Sequence, residues 1–392
     1  MNKLAIDFAG IKLVNPFLLA SGPLTRNEKA ILVALQAGWA GVVTKTVSLH
    51  PPISPTPRLY IFTETDSLWN IELISQFGYH EWEKWTKHIK RNFPHQTVIV
   101  SIMGSTNTGD WQKLAKIFEQ CGADGLELNV SCPHGMPEKA MGSLIGQDKS
   151  LTYNITSAVK QSVKIPVMVK LTPNVTDITE IARACEEAGA DAISGINTIK
   201  SFAGIDIDKF TPKLPVKGVS AYGGYGGQAI KPIALRCVSE IAQSTGLPIS
   251  AIGGISTWQD AVEFMLLGAS SVQVCTAAIT YGVKIIDGFK RGLSDYLKKH
   301  KFSSVTEIVG KSKNKVVKFS GLEIKPFHHP IINKHKCEVN CFQCEVTCRM
   351  AGFKAIVKGK DDKPIIKLSS CEKCGLCFSV CPYDAITMAS HR

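Results

Sequence analysis

Residues 125–135 read Gly-Leu-Glu-Leu-Asn-Val-Ser-Cys-Pro-His-Gly, and this stretch decides how the rest of the chain is interpreted. The apolar run 125–128 predicts a buried strand, which Pro133 and Gly135 end. Cys132 therefore follows the carboxyl end of a strand, where barrels and doubly wound α/β folds bind their ligands. The stretch predicts a ligand site in which Cys132 is either a reagent or a small buried filler.

Short β-rich runs alternate with helical runs through the first 300 residues. The runs predicted as strands are 16–21, 41–46, 97–103, 125–131, 166–172, 192–198, 249–254 and 271–277. Eight strand–helix units over this length fit a (β/α)8 TIM barrel better than an open sheet. Two long insertions, 47–79 and 199–229, both follow predicted strands. We therefore expect them on the catalytic face of the barrel, as lids or substrate loops.

Composition bounds the class of protein. The chain has 392 residues, of which 44% are hydrophobic and 20% charged, as expected of a globular protein rather than a disordered one. No run of about 18 uncharged apolar residues is present, and no secretion signal opens the chain, so we expect a cytoplasmic protein with no membrane span. The net charge of +12 fits an acidic partner or substrate as well as a nucleic acid. We expect no nucleic-acid partner because the basic residues are dispersed.

The pattern changes after a final helix predicted over 283–300. An irregular basic segment follows, and then eight of the thirteen cysteines occur in 45 residues, between Cys337 and Cys381. We expect a barrel over 1–300, a linker over 301–334 and a small α+β ferredoxin-like domain over 335–392. Dense cysteines without a secretion signal indicate metal rather than disulfides.

The last four cysteines follow the bacterial ferredoxin spacing, Cys371-x2-Cys374-x2-Cys377-x3-Cys381-Pro382. A structural zinc site is the alternative, but zinc ribbons pair two CxxC units that lie well apart. The compact spacing favours a [4Fe–4S] cluster.

A second cysteine run, Cys337-x3-Cys341-x2-Cys344-x3-Cys348, repeats the motif with one extra residue in its first gap. Two [4Fe–4S] clusters are therefore predicted, and in such pairs the fourth cysteine of each run crosses to the other cluster. The predicted ligand sets are Cys337, Cys341, Cys344 and Cys381 for one cluster and Cys348, Cys371, Cys374 and Cys377 for the other. The extra residue is either absorbed by a bulge or weakens the first cluster, with Cys337 as the doubtful ligand.

Clusters carry single electrons, so the barrel needs a group that handles electron pairs, and a flavin does so. Barrels hold the flavin phosphate on the loops after strands seven and eight. Ile252-Gly253-Gly254 ends the seventh predicted strand here, Cys275-Thr276 ends the eighth, and 223–227 adds a glycine-rich loop before a helix. No G-x-G-x-x-G joins a strand to a helix, so no nicotinamide site is expected in this chain.

Several stretches carry a family resemblance. They read Leu128-Asn129-Val130-Ser131-Cys132-Pro133-His134-Gly135-Met136, Gly146-Gln147-Asp148, Lys170-Leu171-Thr172-Pro173-Asn174-Val175-Thr176-Asp177, Asn70-Ile71-Glu72-Leu73-Ile74-Ser75 and Ile230-Lys231-Pro232-Ile233-Ala234-Leu235-Arg236. Together they resemble the dihydropyrimidine dehydrogenases, over the whole barrel and into the cysteine-rich tail. The layout is most similar to the FMN and iron–sulfur subunit of the bacterial NAD-dependent enzyme, which works with a separate FAD and NAD subunit. Class 1 dihydroorotate dehydrogenases share the Asn-x-Ser-Cys-Pro loop, but the His-Gly-Met continuation and the tail favour the dihydropyrimidine branch.

The resemblance implies an activity, cofactors and partners. The activity is the reversible reduction of the 5,6 double bond of uracil or thymine. The cofactors are FMN and two [4Fe–4S] clusters, and the electrons come from NAD(P)H through an FAD-containing partner subunit. A homo-oligomer and a heterotetramer of two kinds of subunit are both compatible with this pattern.

The resemblance also gives roles to matching residues. Cys132 is implied as the general acid and base beside pyrimidine C5. The implied substrate-binding residues are Asn70, Asn129, Ser131, Asn197 and Thr198. The implied FMN-binding residues are Ala20, Ser21, Lys45, Thr46, Lys170, Gly227, Ile252, Gly253, Gly254, Cys275 and Thr276.

The chemistry of these residue types agrees with the resemblance. Asparagine amides both donate and accept in one plane, as a flat pyrimidine requires. A thiol with a pKa of about 8.5 can exchange a proton near neutral pH, and a serine cannot. Lys45 and Lys170 follow or end strands, and a cation near the flavin stabilises its anionic reduced form.

Two departures from the family pattern bear on the substrate. Pro137 and Ala140 replace glycines in the loop after Cys132 and would stiffen it. Lys200 replaces a small residue near the predicted substrate site and would admit an anionic substituent. The alternatives are therefore a dihydroorotate dehydrogenase-like enzyme acting on another cyclic substrate, and an electron-transfer iron–sulfur protein without catalysis. His134 either orients Cys132 or caps its loop.

Overall fold

The structure is a computed structural model that describes residues 3–133, 141–324 and 328–390. The described chain divides into two compact units, Met1–Val316 and Val317–Arg392. Residues 301–316 belong to the first unit because Val305 and Ile308 are buried in its core and the Val305 N–H donates to the Lys3 carbonyl. The segment predicted as a linker over 301–334 therefore overlaps both units.

Within the described ranges, eight parallel strands close into a barrel in chain order, as predicted. They are β1 Phe17–Leu19, β2 Gly41–Val43, β3 Thr97–Ile102, β4 Gly125–Asn129, β5 Val167–Leu171, β6 Ala192–Gly195, β7 Ile249–Ile252 and β8 Ala269–Val274. Nearly every residue of these strands is buried, because helices cover the outer face and side chains fill the interior. A hairpin of Ile6–Phe8 and Ile11–Leu13 precedes β1.

A helix follows each barrel strand. These helices are α1 Glu28–Ala37, α2 Tyr79–Asn92, α3 Thr108–Gln120, α4 Lys149–Lys160, α5 Ile178–Glu187, α6 Lys231–Ser244, α7 Trp258–Leu266 and α8 Ile285–Lys299. Local sequence fixes several of their ends. Asn27, Asp148 and Asp177 accept backbone N–H bonds as N-caps, and α1 ends at Gly38 in the left-handed conformation. Two short helices, Ser143–Gly146 and Thr276–Tyr281, follow β4 and β8. No helix in the described ranges combines the length and the apolar character needed to cross a membrane.

The two long insertions pair with each other to form a four-stranded antiparallel sheet, which we call the cap sheet. Its strands, in spatial order, are Leu59–Phe62, Ser67–Asn70, Gly223–Gly227 and Ile199–Ser201. The prediction of a loop over 223–227 was wrong, since this segment is an inner strand of the sheet. Glycine is needed there because a Cβ on Gly223 would collide with the Asn70 carbonyl, and one on Gly224 would collide with the Thr198 side chain.

In its described residues, the second unit contains two antiparallel strand pairs and two α-helices. Strand His328–Ile332 pairs with Ile386–Ser390, and Ile356–Lys358 pairs with Pro364–Ile366. The helices are Gln343–Met350 and Leu376–Ser379. Each helix carries one buried cysteine of the small core, namely Cys344 and Cys377.

Candidate active site

A cavity lies at the carboxyl ends of the barrel strands and includes residues of the cap sheet in its wall. The structure brings the predicted substrate and FMN residues together around it. The lining residues from that set are Ala20, Ser21, Lys45, Thr46, Asn70, Asn129, Cys132, Lys170, Asn197, Thr198, Gly227, Ile252, Gly253, Gly254, Cys275 and Thr276. Ser131 is fully buried and does not line the cavity, but it contacts two residues that do.

The two barrel asparagines belong to one hydrogen-bond network. Asn129 donates from Nδ2 to Thr46 Oγ1 at 2.9 Å, and Ser131 Oγ donates to Asn129 Oδ1 at 3.1 Å. Asn197 donates from Nδ2 to Ser131 Oγ at 3.0 Å. These bonds fix the amide orientations, because an amide whose oxygen accepts and whose nitrogen donates cannot rotate without losing both contacts.

A third asparagine enters the cavity from the cap sheet. Asn70 donates from Nδ2 to the Gly224 carbonyl at 3.1 Å, and its Oδ1 accepts the Glu72 N–H at 3.3 Å. The contact with Gly224 joins the two insertions. Amide groups thus line the cavity from the barrel and from the cap sheet.

Cys132 lines the same cavity three residues beyond the end of β4, and it is only 6% exposed. Its carbonyl accepts the Ser143 N–H at 3.0 Å, which ties the segment to the following short helix. The predictions about His134, Pro137 and Ala140 concern residues outside the described ranges.

Three other barrel cysteines are core residues. Cys121, Cys185 and Cys237 are buried at or within helices on the outside of the barrel. Burial raises the pKa of Cys121 and of Cys237 to about 11, which leaves both as neutral thiols.

Both cavity lysines have carboxylate partners that the sequence analysis missed. Lys45 Nζ lies 2.6 Å from Glu72 Oε2, and Arg58 Nε lies 3.1 Å from the other oxygen of Glu72. Lys170 Nζ lies 3.6 Å from Glu127 Oε1. An acidic residue in the apolar run 125–128 was the available signal, since an isolated charge in a buried strand requires a partner.

The loop after β7 is held in shape by a buried carboxylate. Asp260 Oδ2 accepts the Ser256 and Thr257 N–H groups at 2.9 and 2.8 Å, and Asp260 Oδ1 lies 2.5 Å from Lys231 Nζ. Burial by itself raises the pKa of Asp260, but the hydrogen bonds from Lys231, Ser256 and Thr257 together hold this pKa below its usual range. Gly254, with φ +74°, could not take a side chain, because its Cβ would lie 2.6 Å from that of Lys231.

These features fit a flavin mononucleotide. The glycine-containing loop after β7 and residues 275–277 after β8 form a cradle of the kind that holds phosphate in barrels. Gln273 Oε1 is buried at the cavity wall and accepts no hydrogen bond within the described residues. Burial raises the pKa of the Cys275 thiol despite Lys170 and Lys45 nearby, so this side chain offers a neutral surface to a bound group.

In the second unit, the cysteines line two separate cavities. Cys337, Cys341, Cys344 and Cys381 line one. Cys348, Cys371, Cys374 and Cys377 line the other. These are the two sets of four that the crossing pattern predicts, and Cys337 lies with its set despite the extra residue in the gap.

A single-ion site is a different arrangement. Among the described residues, no group of three or more His, Cys, Asp or Glu side chains is placed to hold a metal ion. Thiolates at the corners of a cubane lie further apart than ligands on one ion. The compact ferredoxin spacing of these cysteines favours clusters over the alternative of zinc.

Comparison with known proteins supports both units. The family model described as dihydroorotate dehydrogenase matches residues 3–297, and a 4Fe-4S binding domain model matches residues 364–387. A solved structure of DHODH from Eimeria tenella in complex with ferulenol superposes with a TM-score of 0.68 at 22% identity, covering 80% of this chain and 89% of that one. This likeness supports the barrel fold.

One curated relative matches nearly the full length of the chain, and two others match about four fifths of it. The NAD-dependent dihydropyrimidine dehydrogenase subunit PreA of Escherichia coli K12 is 37% identical over 98% of this chain and 95% of its own length. The chloroplastic dihydropyrimidine dehydrogenase (NADP(+)) of Arabidopsis thaliana is 39% identical over 79% of this chain and 76% of its own length. The catalytic subunit of dihydroorotate dehydrogenase B (NAD(+)) of Pyrococcus abyssi is 41% identical over 78% of this chain and 98% of its own length. The predicted family is confirmed: the chain belongs to the dihydroorotate dehydrogenase family of flavin oxidoreductases and, over its full length, to the dihydropyrimidine dehydrogenase group that adds an iron–sulfur domain to the barrel.

Proposed function

We propose that this protein catalyses the reversible reduction of the 5,6 double bond of uracil or thymine. The observation that carries the proposal is the amide network of Asn129, Ser131 and Asn197 beside Cys132, in one cavity that Asn70 also lines. The names of the relatives from Escherichia coli and Arabidopsis thaliana agree with this activity.

The asparagines select the substrate. Uracil and thymine present alternating N–H donors and carbonyl acceptors in one plane, and the amides complement them. Because the network fixes which atom of each amide faces the cavity, a ring without this donor and acceptor pattern would leave buried polar groups unpaired. Loss of such a partner costs about 1–3 kcal/mol per group, enough to discriminate between rings.

Cys132 supplies the proton. Reduction adds hydride at C6 and a proton at C5, next to a carbonyl group, and the reverse reaction removes both. Cys132 donates its Sγ proton to C5 in the reductive direction and takes it back in the oxidative direction. Its low exposure keeps bulk water from exchanging this proton at random.

The residues that would hold FMN are the cavity lysines and the loops after β7 and β8. FMN, when bound, supplies the hydride. Lys45 and Lys170 would supply positive charge to bound FMN, and the backbone around Gly253, Gly254 and Thr276 would receive its phosphate.

The second unit conducts electrons to the barrel. Its two sets of four cysteines hold two [4Fe–4S] clusters, which pass single electrons. The electrons come from NAD(P)H through a separate FAD-containing subunit, since the sequence contains no dinucleotide fingerprint and the Escherichia coli relative is named as a subunit. The thiolate clusters fit a cytoplasmic location, where thiols stay reduced.

The alternative substrate, a ring with an anionic substituent, depended on Lys200. That side chain is exposed, its Nζ lies 5.8 Å from the Tyr222 ring centre, and it is not among the described residues lining the cavity. The position of Lys200 therefore gives no support to orotate. Because the relative from Pyrococcus abyssi is named as a dihydroorotate dehydrogenase, orotate is included in the assays below.

Steady-state assays test the proposal. We expect the purified protein to reduce uracil with an artificial one-electron donor and to show no turnover with NADH alone. Orotate in parallel assays should react far more slowly. Faster turnover of orotate than of uracil would identify orotate, and not uracil, as the substrate. Robust NADH-driven turnover by this chain alone would refute the proposal that a separate reductase subunit delivers the electrons. Replacement of Cys132 by Ser should abolish turnover with FMN retained, whereas unchanged turnover would favour the electron-transfer alternative.

A further inference from the structure

Glu127 is a carboxylate in the middle of the barrel interior. It lies on β4, its side chain is completely buried, and it does not line the cavity. An ionised carboxylate without compensation in such a place is strongly unfavourable. Its partners therefore indicate why the barrel tolerates it.

One oxygen of this carboxylate is anchored by two strands across the barrel. Glu127 Oε2 accepts from Ser194 Oγ of β6 at 2.8 Å and from Gln273 Nε2 of β8 at 3.1 Å. The three side chains come from alternate strands, which is the way a barrel interior forms one layer. This layer holds the carboxylate in a single orientation.

The other oxygen faces Lys170. Glu127 Oε1 accepts no hydrogen bond within the described residues, and Lys170 Nζ of the neighbouring strand β5 lies 3.6 Å from it. Lys170 lies opposite Asn129 in the sheet register, two positions beyond Glu127 toward the cavity, and lines the cavity wall. The carboxylate therefore lies deeper in the barrel than the lysine, on the side away from the cavity.

We propose that Glu127 is a positioning residue that holds Lys170 at the cavity wall and, through its negative charge, limits how strongly that lysine favours the anionic reduced form of bound flavin. This inference rests on FMN binding in the proposed function, but not on the identity of the pyrimidine. A lysine without this counterion would pull the flavin toward its reduced form.

The direction and size of the expected change in the flavin's reduction equilibrium follow from electrostatics. At an effective dielectric constant of about 20, removal of one unit charge within roughly 8 Å of another shifts an equilibrium by more than tenfold. Glu127→Gln keeps the shape of the side chain and an oxygen that can accept from Ser194, but removes the charge. The ratio of reduced to oxidised flavin at a fixed potential should therefore rise at least tenfold, which is about 30 mV for a two-electron couple.

The test is an anaerobic potentiometric titration of the complete protein without substrate. The flavin is followed by its absorbance, and the clusters are followed by electron paramagnetic resonance as an internal reference. Glu127→Asp, which keeps the charge, is the matched control. Its ratio of reduced to oxidised flavin at a fixed potential should stay within about threefold of the wild-type value. A rise of tenfold or more for Glu127→Gln supports the inference, and an unchanged or lowered flavin potential with FMN still bound overturns it.

A second comparison applies if Glu127→Gln does not retain FMN. Lys170→Gln alone should lower the flavin potential, because it leaves the Glu127 carboxylate without its counterion. Adding Glu127→Gln to this variant should raise the potential again, so that the ratio of reduced to oxidised flavin at a fixed potential increases at least tenfold. Equal potentials for these two proteins would overturn the inference. Since uracil is absent throughout, failure here is distinct from failure of the proposed substrate.

Discussion

Replacement of Asp260 by Asn should loosen the loop that we assign to the flavin phosphate. Asp260 is 4% exposed and accepts bonds from two backbone N–H groups, while its other oxygen pairs with Lys231. An amide cannot accept at both positions, so one set of contacts is lost. Hydrogen bonds to a charged group contribute about 1.5–3 kcal/mol, and Lys231 keeps Glu263 as a second partner at 2.7 Å. We expect a loss of about 2–3 kcal/mol in the free energy of unfolding at pH 7.

Glu263→Gln is the matched control, because it removes the other carboxylate on the same lysine. The Glu263 side chain is 49% exposed, so solvent screens its ion pair and the expected loss is below about 1 kcal/mol. Both variants are compared with the wild-type protein by urea denaturation with excess FMN, followed by circular dichroism. FMN affinity should fall at least tenfold for Asp260→Asn and stay unchanged for Glu263→Gln.

The pH dependence identifies which effect dominates at Asp260. Its pKa is lowered in the folded protein, so its contribution is fully present above the unfolded value of 3.8 and is lost only as the pH falls through the lower folded value. The stability difference between wild type and Asp260→Asn should therefore stay constant from pH 8 to pH 5. A difference that already shrinks between pH 7 and pH 5.5 would mean that burial outweighs the hydrogen bonds, and would refute this reasoning.

Three further predictions follow from the site. Cys132→Ser should lower uracil turnover at least 100-fold while FMN absorbance stays at the wild-type level, because a hydroxyl is too weak an acid; activity within tenfold of wild type in steady-state assays would contradict this. Gly224→Ala should raise the KM for uracil, because its Cβ collides with Thr198, and retain FMN; an unchanged KM would show that the cap sheet adjusts. Cys348→Ser should lower the iron content from about eight to about four atoms per chain, whereas a value that stays near eight would remove this residue from the ligand set.

The sequence predicted the barrel well because its signals are local. Each barrel strand is a short buried run, and caps such as Asn27 and Gly38 mark the helices between them. The cysteine spacing also grouped the second unit's thiols into the two sets that line its cavities, since adjacent residues in a helix or tight loop keep fixed distances.

Local sequence patterns could not predict which distant segments of the chain pair with each other. The strand Gly223–Gly227 pairs with Ser67–Asn70, more than 150 residues away, and its glycine content hides the β pattern. The partners of the lysines were missed for a related reason. Glu127 meets Gln273 only because the barrel closes, and no local pattern announces a contact between strands on opposite sides of a barrel.

The proposed pyrimidine reduction is tested most directly by a single turnover. The protein is reduced anaerobically, excess donor is removed, and uracil is added while absorbance and product are measured. We predict that the flavin band returns and that one to two equivalents of 5,6-dihydrouracil form per bound FMN, because the flavin supplies two electrons and the two clusters supply about one each, with no comparable change on adding orotate. A protein that stays reduced with uracil but is reoxidised by orotate, or by neither, would contradict the central claim.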